Sequence, residues 1–249
     1  MNIDVQNLIP VFVALPLAVC LLIQLLARGR PRLAGGLSIL AMLALVVMSI
    51  AAIGKGGLYH LGGWPTPIGI DLRLDDLSVL LVVNVIGLAV SLYAIDYMRR
   101  FTSEGYFYGL FLLMVTGMNG VVLAGDLFNL YVFLEVAAVA SYALVAFGCA
   151  HEELEASFKY IVLGSLSSAL ILIGVALVYG VTGTLNMTQM AERIAQGSPD
   201  APLLLAIGLF IVGFSFKAAL VPFHAWLPDA HPSAPAPVSA MLSGVLIKA

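Results

Sequence analysis

About eight blocks of mostly apolar residues, each close to twenty residues long, dominate this chain of 249 residues. They run over Leu8–Ala27, Leu33–Ile53, Leu77–Tyr97, Phe107–Ala124, Leu127–Gly148, Tyr160–Val181, Pro202–Val221 and onward from Pro235. A helix needs about 20 such residues to cross the hydrocarbon core of a bilayer. Helices also satisfy their own backbone hydrogen bonds, which lipid cannot do for them. The expected fold is therefore all-α, a polytopic membrane helix bundle with about eight transmembrane helices. Composition agrees: 61% of residues are hydrophobic and 10% charged, against about 25% charged in an ordinary soluble domain. Cys20 and Cys149 sit in or beside apolar runs and show neither a disulfide framework nor a metal-binding spacing.

The first block does not read as a cleaved signal peptide, because Asp4 precedes it and no basic residue does. Orientation follows from lysine and arginine in short loops, which favour the cytoplasm. Arg28, Arg30 and Arg32 follow the first block, Arg99 and Arg100 the third, and Lys159 the fifth. With alternating spans these three loops share one side, opposite Lys55, Arg73 and Arg193. That side is expected to be cytoplasmic, with the N-terminus outside (periplasmic) and the chain multi-pass in the cell inner membrane.

Two external connections have character of their own. Residues 56–75, rich in Gly and Pro with short alternating apolar stretches, predict a small hairpin in which His60 and Trp64 anchor at the interface. Residues 185–196 place Leu185, Met187, Met190, Ala191 and Ile194 at the spacing of a short amphipathic surface helix.

Against this apolar background the isolated charges stand out. Glu135 lies nine residues after Asp126 in GDLFNLYVFLEV, about 14 Å along a helix and near mid-membrane. An ionisable group there costs about 2.5–3.5 kcal/mol on insertion scales, so it usually faces the bundle interior on an ion path. Tyr131 and Tyr142 share its helical face and are expected to hydrogen-bond its carboxyl or to hold water beside it. The competing reading is a protonated packing acid. Lys217 interrupts the seventh block, and Pro222, which lacks an amide hydrogen, predicts a break beside it. Discontinuous helices at membrane depth line protein or water and commonly mark ion sites. Lys248 lies about 13 residues into the last block, again at central depth. Lys159, at the opening of the sixth block, reads as a positive-inside anchor or a relay group. His224 and His231, in PFHAWLPDAHPSAPAPVS, read as interfacial caps or as relay groups.

Three segments, GDLFNLYVFLEV, FKYIVLGSLSSALILIGVALVYGVTGTLNM and KAALVPFHAWLPDAHPSAPAPVSAMLSGVLIKA, occur in this order. Together they resemble the antiporter-like subunits of respiratory complex I (NADH:quinone oxidoreductase), membrane-bound hydrogenases and Mrp-type cation/proton antiporters. GDLFNLYVFLEV and GGWPTPIGI are most similar to Mrp D subunits and their hydrogenase relatives, whereas HAWLPDAH and FKYIVLGSLSS are more similar to complex I subunits. The resemblance implies a five-helix unit of an inverted-repeat fold with a broken seventh helix and a central chain of protonatable residues. It assigns proton translocation to Glu135, Lys217, Lys248 and Lys159, in helices five, seven, eight and six. Relatives carry a second repeat, so the sequence, ending at Ala249 inside an apolar block, is expected to be an N-terminal half.

The resulting expectation has two parts: residues 1–105 as helices one to three with the hairpin, and residues 106–249 as the proton-translocating unit. Protons, and Na+ in an antiporter, would be moved in company with other membrane subunits. The alternatives are a proton-pumping subunit of a complex I-type oxidoreductase and a non-conducting scaffold. No catalytic centre, cofactor, metal or nucleic-acid partner is expected within the chain itself, and any redox chemistry would belong to partner subunits.

Overall fold

The computed structural model describes residues 5–27, 29–75, 79–197 and 200–248. The N-terminal residue, Asp4, Arg28, the Leu77 start of the third block and Ala249 lie outside the described residues. Among those described, six helices are long and apolar enough to cross a membrane: Gln6–Ala27, Pro31–Ala52, Val79–Arg100, Glu104–Leu123, Leu127–Val145 and His151–Thr182. Two shorter apolar helices, Ala201–Lys217 and Ala236–Leu246, carry the seventh and eighth blocks.

In chain order the elements are α1 (Val5–Leu8), α2 (Val11–Leu22, continued as a π-helical stretch to Ala27) and α3 (Pro31–Ala52). A hairpin of β1 (Gly57–His60) and β2 (Asp71–Leu74) follows, then α4 (Val79–Tyr97), α5 (Glu104–Leu123), α6 (Leu127–Val145) and α7 (His151–Thr182). The remainder comprises α8 (Met187–Gln196), α9 (Ala201–Lys217), α10 (Leu227–Ser233) and α11 (Ala236–Met241, continued to Leu246).

Local chemistry explains where the helices start. Asp126, Asn186 and Asp200 each cap a helix by accepting the backbone N–H three residues on, at 2.7, 3.2 and 3.1 Å. Such caps satisfy donors that the helix leaves orphaned. Helix α7 corrects the sixth block: it begins at His151, nine residues before Tyr160. Its first turn carries Glu152 and Glu153, and Glu153 accepts the Ala150 N–H at 3.2 Å. Acids there complement the positive end of the helix dipole, so the helix extends well beyond its apolar portion. It ends at Gly183, whose φ of 63° provides a left-handed C-cap.

The expected hairpin and amphipathic helix both form, and they meet. β1 and β2 pair antiparallel in the register Gly57↔Leu74 to His60↔Asp71. His60 does more than anchor, since its Nδ1 lies 2.6 Å from a carboxylate oxygen of the buried Asp71. The Asn186 side-chain amide donates to the other Asp71 oxygen at 2.8 Å. The Gly125 N–H donates to the Asp71 carbonyl at 2.8 Å, and the Met187 N–H to the Gly125 carbonyl at 3.1 Å. Hairpin, α5–α6 turn and α8 thus form one polar cap on a single side of the bundle. The connections after α2, α4 and α6 fall at the opposite ends of these helices; those after α2 and α4 carry Arg30, Arg99 and Arg100, whereas Lys159, expected in the third of these loops, lies within α7.

The core centres on α5, which is buried along most of its length. Small residues let helix backbones approach closely where lipid gives no hydrophobic drive to associate. Gly117 and Gly120 of α5 lie directly against Phe133 and Ala137 of α6. A buried amide seam adds polar glue: Asn119 donates to Asn84 at 3.2 Å and to the Phe12 carbonyl at 3.1 Å, and Asn84 donates to Ser49 at 3.0 Å. This packing fixes α6, and therefore the one acid in its membrane portion.

Candidate functional site

The expected break beside Lys217 is present. Helix α9 stops at Lys217, Ala219 takes a left-handed φ of 51°, and the Leu220 N–H reaches back to the Ser215 carbonyl at 2.9 Å. A carbonyl in this last turn finds a side-chain donor, for Trp226 Nε1 donates to the Phe216 oxygen at 2.9 Å. The loop thus folds back under the helix end and fixes the residue preceding Lys217.

At this end Lys217 Nζ lies 3.0 Å from Glu135 Oε1, an ion pair joining α9 to α6. The two side chains are 15% and 29% exposed, so neither points fully outward and neither is completely enclosed by the chain. Taking such charges out of water is costly unless the geometry is good and remaining lone pairs find donors. A second donor comes from α7: the Ser168 hydroxyl donates to the same Glu135 oxygen and also lies 2.9 Å from the Gly164 carbonyl. Sequence reasoning missed Ser168, and for this direct bond it pointed to Tyr131 and Tyr142 instead. Neither Tyr131 nor Tyr142 hydrogen-bonds Glu135. The Tyr142 hydroxyl is buried against Gly164 without a hydrogen-bond partner, and its ring meets Tyr160 edge-on with centroids 4.5 Å apart. Helix α7 sits between α6 and α9 at this level, and its own seam to α9 includes Ser167 donating to the Gly213 carbonyl at 2.7 Å.

Replacing Ser168 with Ala removes a donor to a charged group, a contact worth about 1.5–3 kcal/mol. With Glu135 partly exposed, the expected loss is at the lower end. It should appear as a reduced unfolding temperature in detergent, and an unchanged transition would mean the contact contributes nothing.

A cavity of about 260 Å³ opens beside the pair, with Lys217, Lys248, Tyr160, Ala138 and Met118 among its walls. The structure therefore brings two of the expected lysines to one space. Lys248 departs from expectation in detail: helical structure ends at Leu246, and Lys248 lies just beyond it, exposed, with its ammonium bonded to the Ser243 carbonyl.

The other three candidates stand apart from the pair. Lys159 does not open its helix but lies in the third turn of α7, held at 2.9 Å by Glu155 and at 2.8 Å by Asp229 of α10. His231 Nδ1 is 2.8 Å from Ser239 Oγ, linking α10 to α11. His224 is exposed on the loop after the break. Neither histidine lines the cavity. Among the described residues, no group of three or more His, Cys, Asp or Glu could hold a metal ion.

Comparison with known proteins places the chain in a family. The chain is 39% identical over 248 residues to the N subunit of NADH-quinone oxidoreductase from Desulforudis audaxviator, covering 97% of the chain and 49% of the relative. It is 31% identical over 249 residues to the D subunit of the Na(+)/H(+) antiporter from Alkalihalophilus pseudofirmus, covering 98% and 50%. Its backbone superposes on a chain of the Mrp complex from a Dietzia species with a TM-score of 0.87 at 31% identity, over 99% of this chain and 47% of that one. The chain thus spans about half the length of these relatives. Residues 124–249, which contain Glu135, Lys217 and Lys248, match the family described as NADH:quinone oxidoreductase/Mrp antiporter, transmembrane. With the match covering half of its length, the chain belongs to the NADH:quinone oxidoreductase/Mrp antiporter family.

Proposed function

We propose that this chain is the proton-translocating part of a membrane subunit in a multisubunit Mrp-type or hydrogenase-like assembly, which exchanges protons for a monovalent cation such as Na+. The single observation that carries this reading is the Glu135–Lys217 pair, 3.0 Å long at a helix break, whose Lys217 borders a cavity shared with Lys248. A lysine there can give up its proton when the carboxylate moves away and regain it when the pair re-forms. Lys248, across the same cavity, is the next carrier. Lys159, His224 and His231 take no part in this step. Residues 106–249 hold the translocating unit, and residues 1–105 brace it and carry the hairpin. The basic connections favour a cytoplasmic mouth on the side of Arg30, Arg99 and Arg100 and an N-terminus outside.

The test uses inverted membrane vesicles containing the complete assembly, with a dye that reports the proton gradient. Adding Na+ should dissipate an imposed gradient when the subunit is present. Vesicles in which the subunit is deleted should keep it. A deletion that leaves the cation response intact would overturn the proposal. The 39% identity to a complex I component over nearly the whole chain favours a second reading, a redox-driven proton pump. In that case substrate oxidation acidifies the vesicles with no response to added cation.

A further inference from the structure

Two adjacent residues of α7 face different spaces. Tyr160 borders the inner cavity with Lys217 and Lys248. Lys159 borders a separate, open pocket of about 290 Å³ on the basic-loop side, together with Glu152, Glu155 and Asp229. The chain passes from one space to the other between Lys217, on the inner cavity, and Asp229, on the outer pocket. Trp226 lies in between and borders neither. Its indole is 2% exposed and stacks on the Tyr160 ring with centroids 4.2 Å apart and planes 5° from parallel.

We infer that the Tyr160–Trp226 stack is the barrier in a proton intake route that leads from the Glu152/Glu155/Lys159/Asp229 pocket to the cavity at Lys217. The outer pocket has what an intake mouth requires: three carboxylates and one ammonium hold water and draw in protons. The stack has what a barrier requires, namely two flat, buried rings in close contact across the path. Both rings are tethered, Tyr160 by the Ser141 hydroxyl at 3.1 Å and Trp226 by the Phe216 carbonyl at 2.9 Å. The second tether connects the barrier to the residue next to Lys217. A movement of the lysine's helix end therefore moves the indole too. Lys159, which bonds Asp229 three residues beyond Trp226, latches α10 onto α7 and keeps the stack closed. Lys159 is thus a positioning residue for the barrier and not a carrier of the proton.

The inference rests on the proposed translocation for its purpose, but its test requires no transport. In the full assembly, with Cys20→Ser and Cys149→Ser, a reporter Ala138→Cys is placed on the inner cavity wall. A membrane-impermeant cationic thiol reagent is then applied from the basic-loop side. Trp226→Ala should raise the labelling rate by about tenfold or more, as expected when a gate is removed. Trp226→Phe, which keeps a ring in place, should restore protection. Asp229→Asn keeps both rings and releases the latch, so it should give a several-fold rise and carries the test if Trp226→Ala does not assemble. Labelling of the reporter at the parent rate in both Trp226→Ala and Asp229→Asn would overturn the barrier. Loss of cation-dependent proton flux in the deletion experiment is a separate result and does not bear on labelling.

Discussion

Alanine at position 135 should stop proton flux and also weaken the fold. Lys217 would keep its place at the broken end of α9 but lose the carboxylate 3.0 Å away. Removing one partner of a buried pair typically costs about 3–5 kcal/mol, because the remaining charge is uncompensated. With the side chains still 15% and 29% exposed, the lower end applies. Lys217→Ala should be comparably inactive while inserting normally. The double variant Glu135→Ala with Lys217→Ala separates two meanings of the pair. Removing both charges relieves the penalty, so the unfolding temperature should recover most of the loss, while flux stays at the level of deleted vesicles. A pair that only packs helices predicts the opposite for flux, which would return with stability. Glu135→Gln sharpens the contrast, since an amide oxygen still accepts the Ser168 hydroxyl but carries no charge. Its expected outcome is an assembled, inactive subunit that is more stable than Glu135→Ala but less stable than the parent. Wild-type flux in Glu135→Gln would remove the carboxylate from the path.

Much of this arrangement is legible in the sequence, and the parts that are not share a cause. Apolar block length locates the spans, because lipid admits few alternatives to the helix. Glu135 and Lys217 are visible since an ionisable group in such a block has no inexpensive explanation. Pro222 gives away the break, as a missing amide hydrogen does in any context. Ser168 gives no such signal. Serines in apolar helices commonly bond the carbonyl one turn back, and Ser168 does this with Gly164 as well as serving Glu135. Nothing in its local sequence distinguishes the two roles. The tyrosine assignment fails for a related reason: sharing a helical face with Glu135 sets direction, but not which neighbouring helix arrives there first. Helix α7 arrives first, bringing Ser168. The early start of α7 is hidden because its first turns are charged and sit outside the apolar block that marks it. Lys159 is visible as a charge, but its partner Asp229 lies 70 residues away across the break, and only the tertiary fold joins them.

The largest effect on folding is expected where α5 and α6 come closest. A Cβ on Gly117 would sit 2.7 Å from the Phe133 carbonyl oxygen and 2.7 Å from the Ala137 side chain, with the Ala137 backbone nitrogen also in the way. Backbone atoms inside two packed helices cannot swing aside as a long side chain can. Gly117→Leu must therefore push α6 off α5, with a cost at or above the usual 1–3 kcal/mol, about 3 kcal/mol or more. Phe133 and Ala137 flank Glu135 on α6, so the same displacement drags the carboxylate away from Ser168 and Lys217. Low yield, a much lower unfolding temperature by tryptophan fluorescence and absent flux should appear together. Gly208→Ala is the control, for a Cβ there meets nothing within 4 Å and alanine suits a helix better than glycine. That variant should assemble and unfold like the parent. If Gly117→Leu behaved like Gly208→Ala, the α5–α6 contact would be looser than described, and the position of Glu135 would need another support.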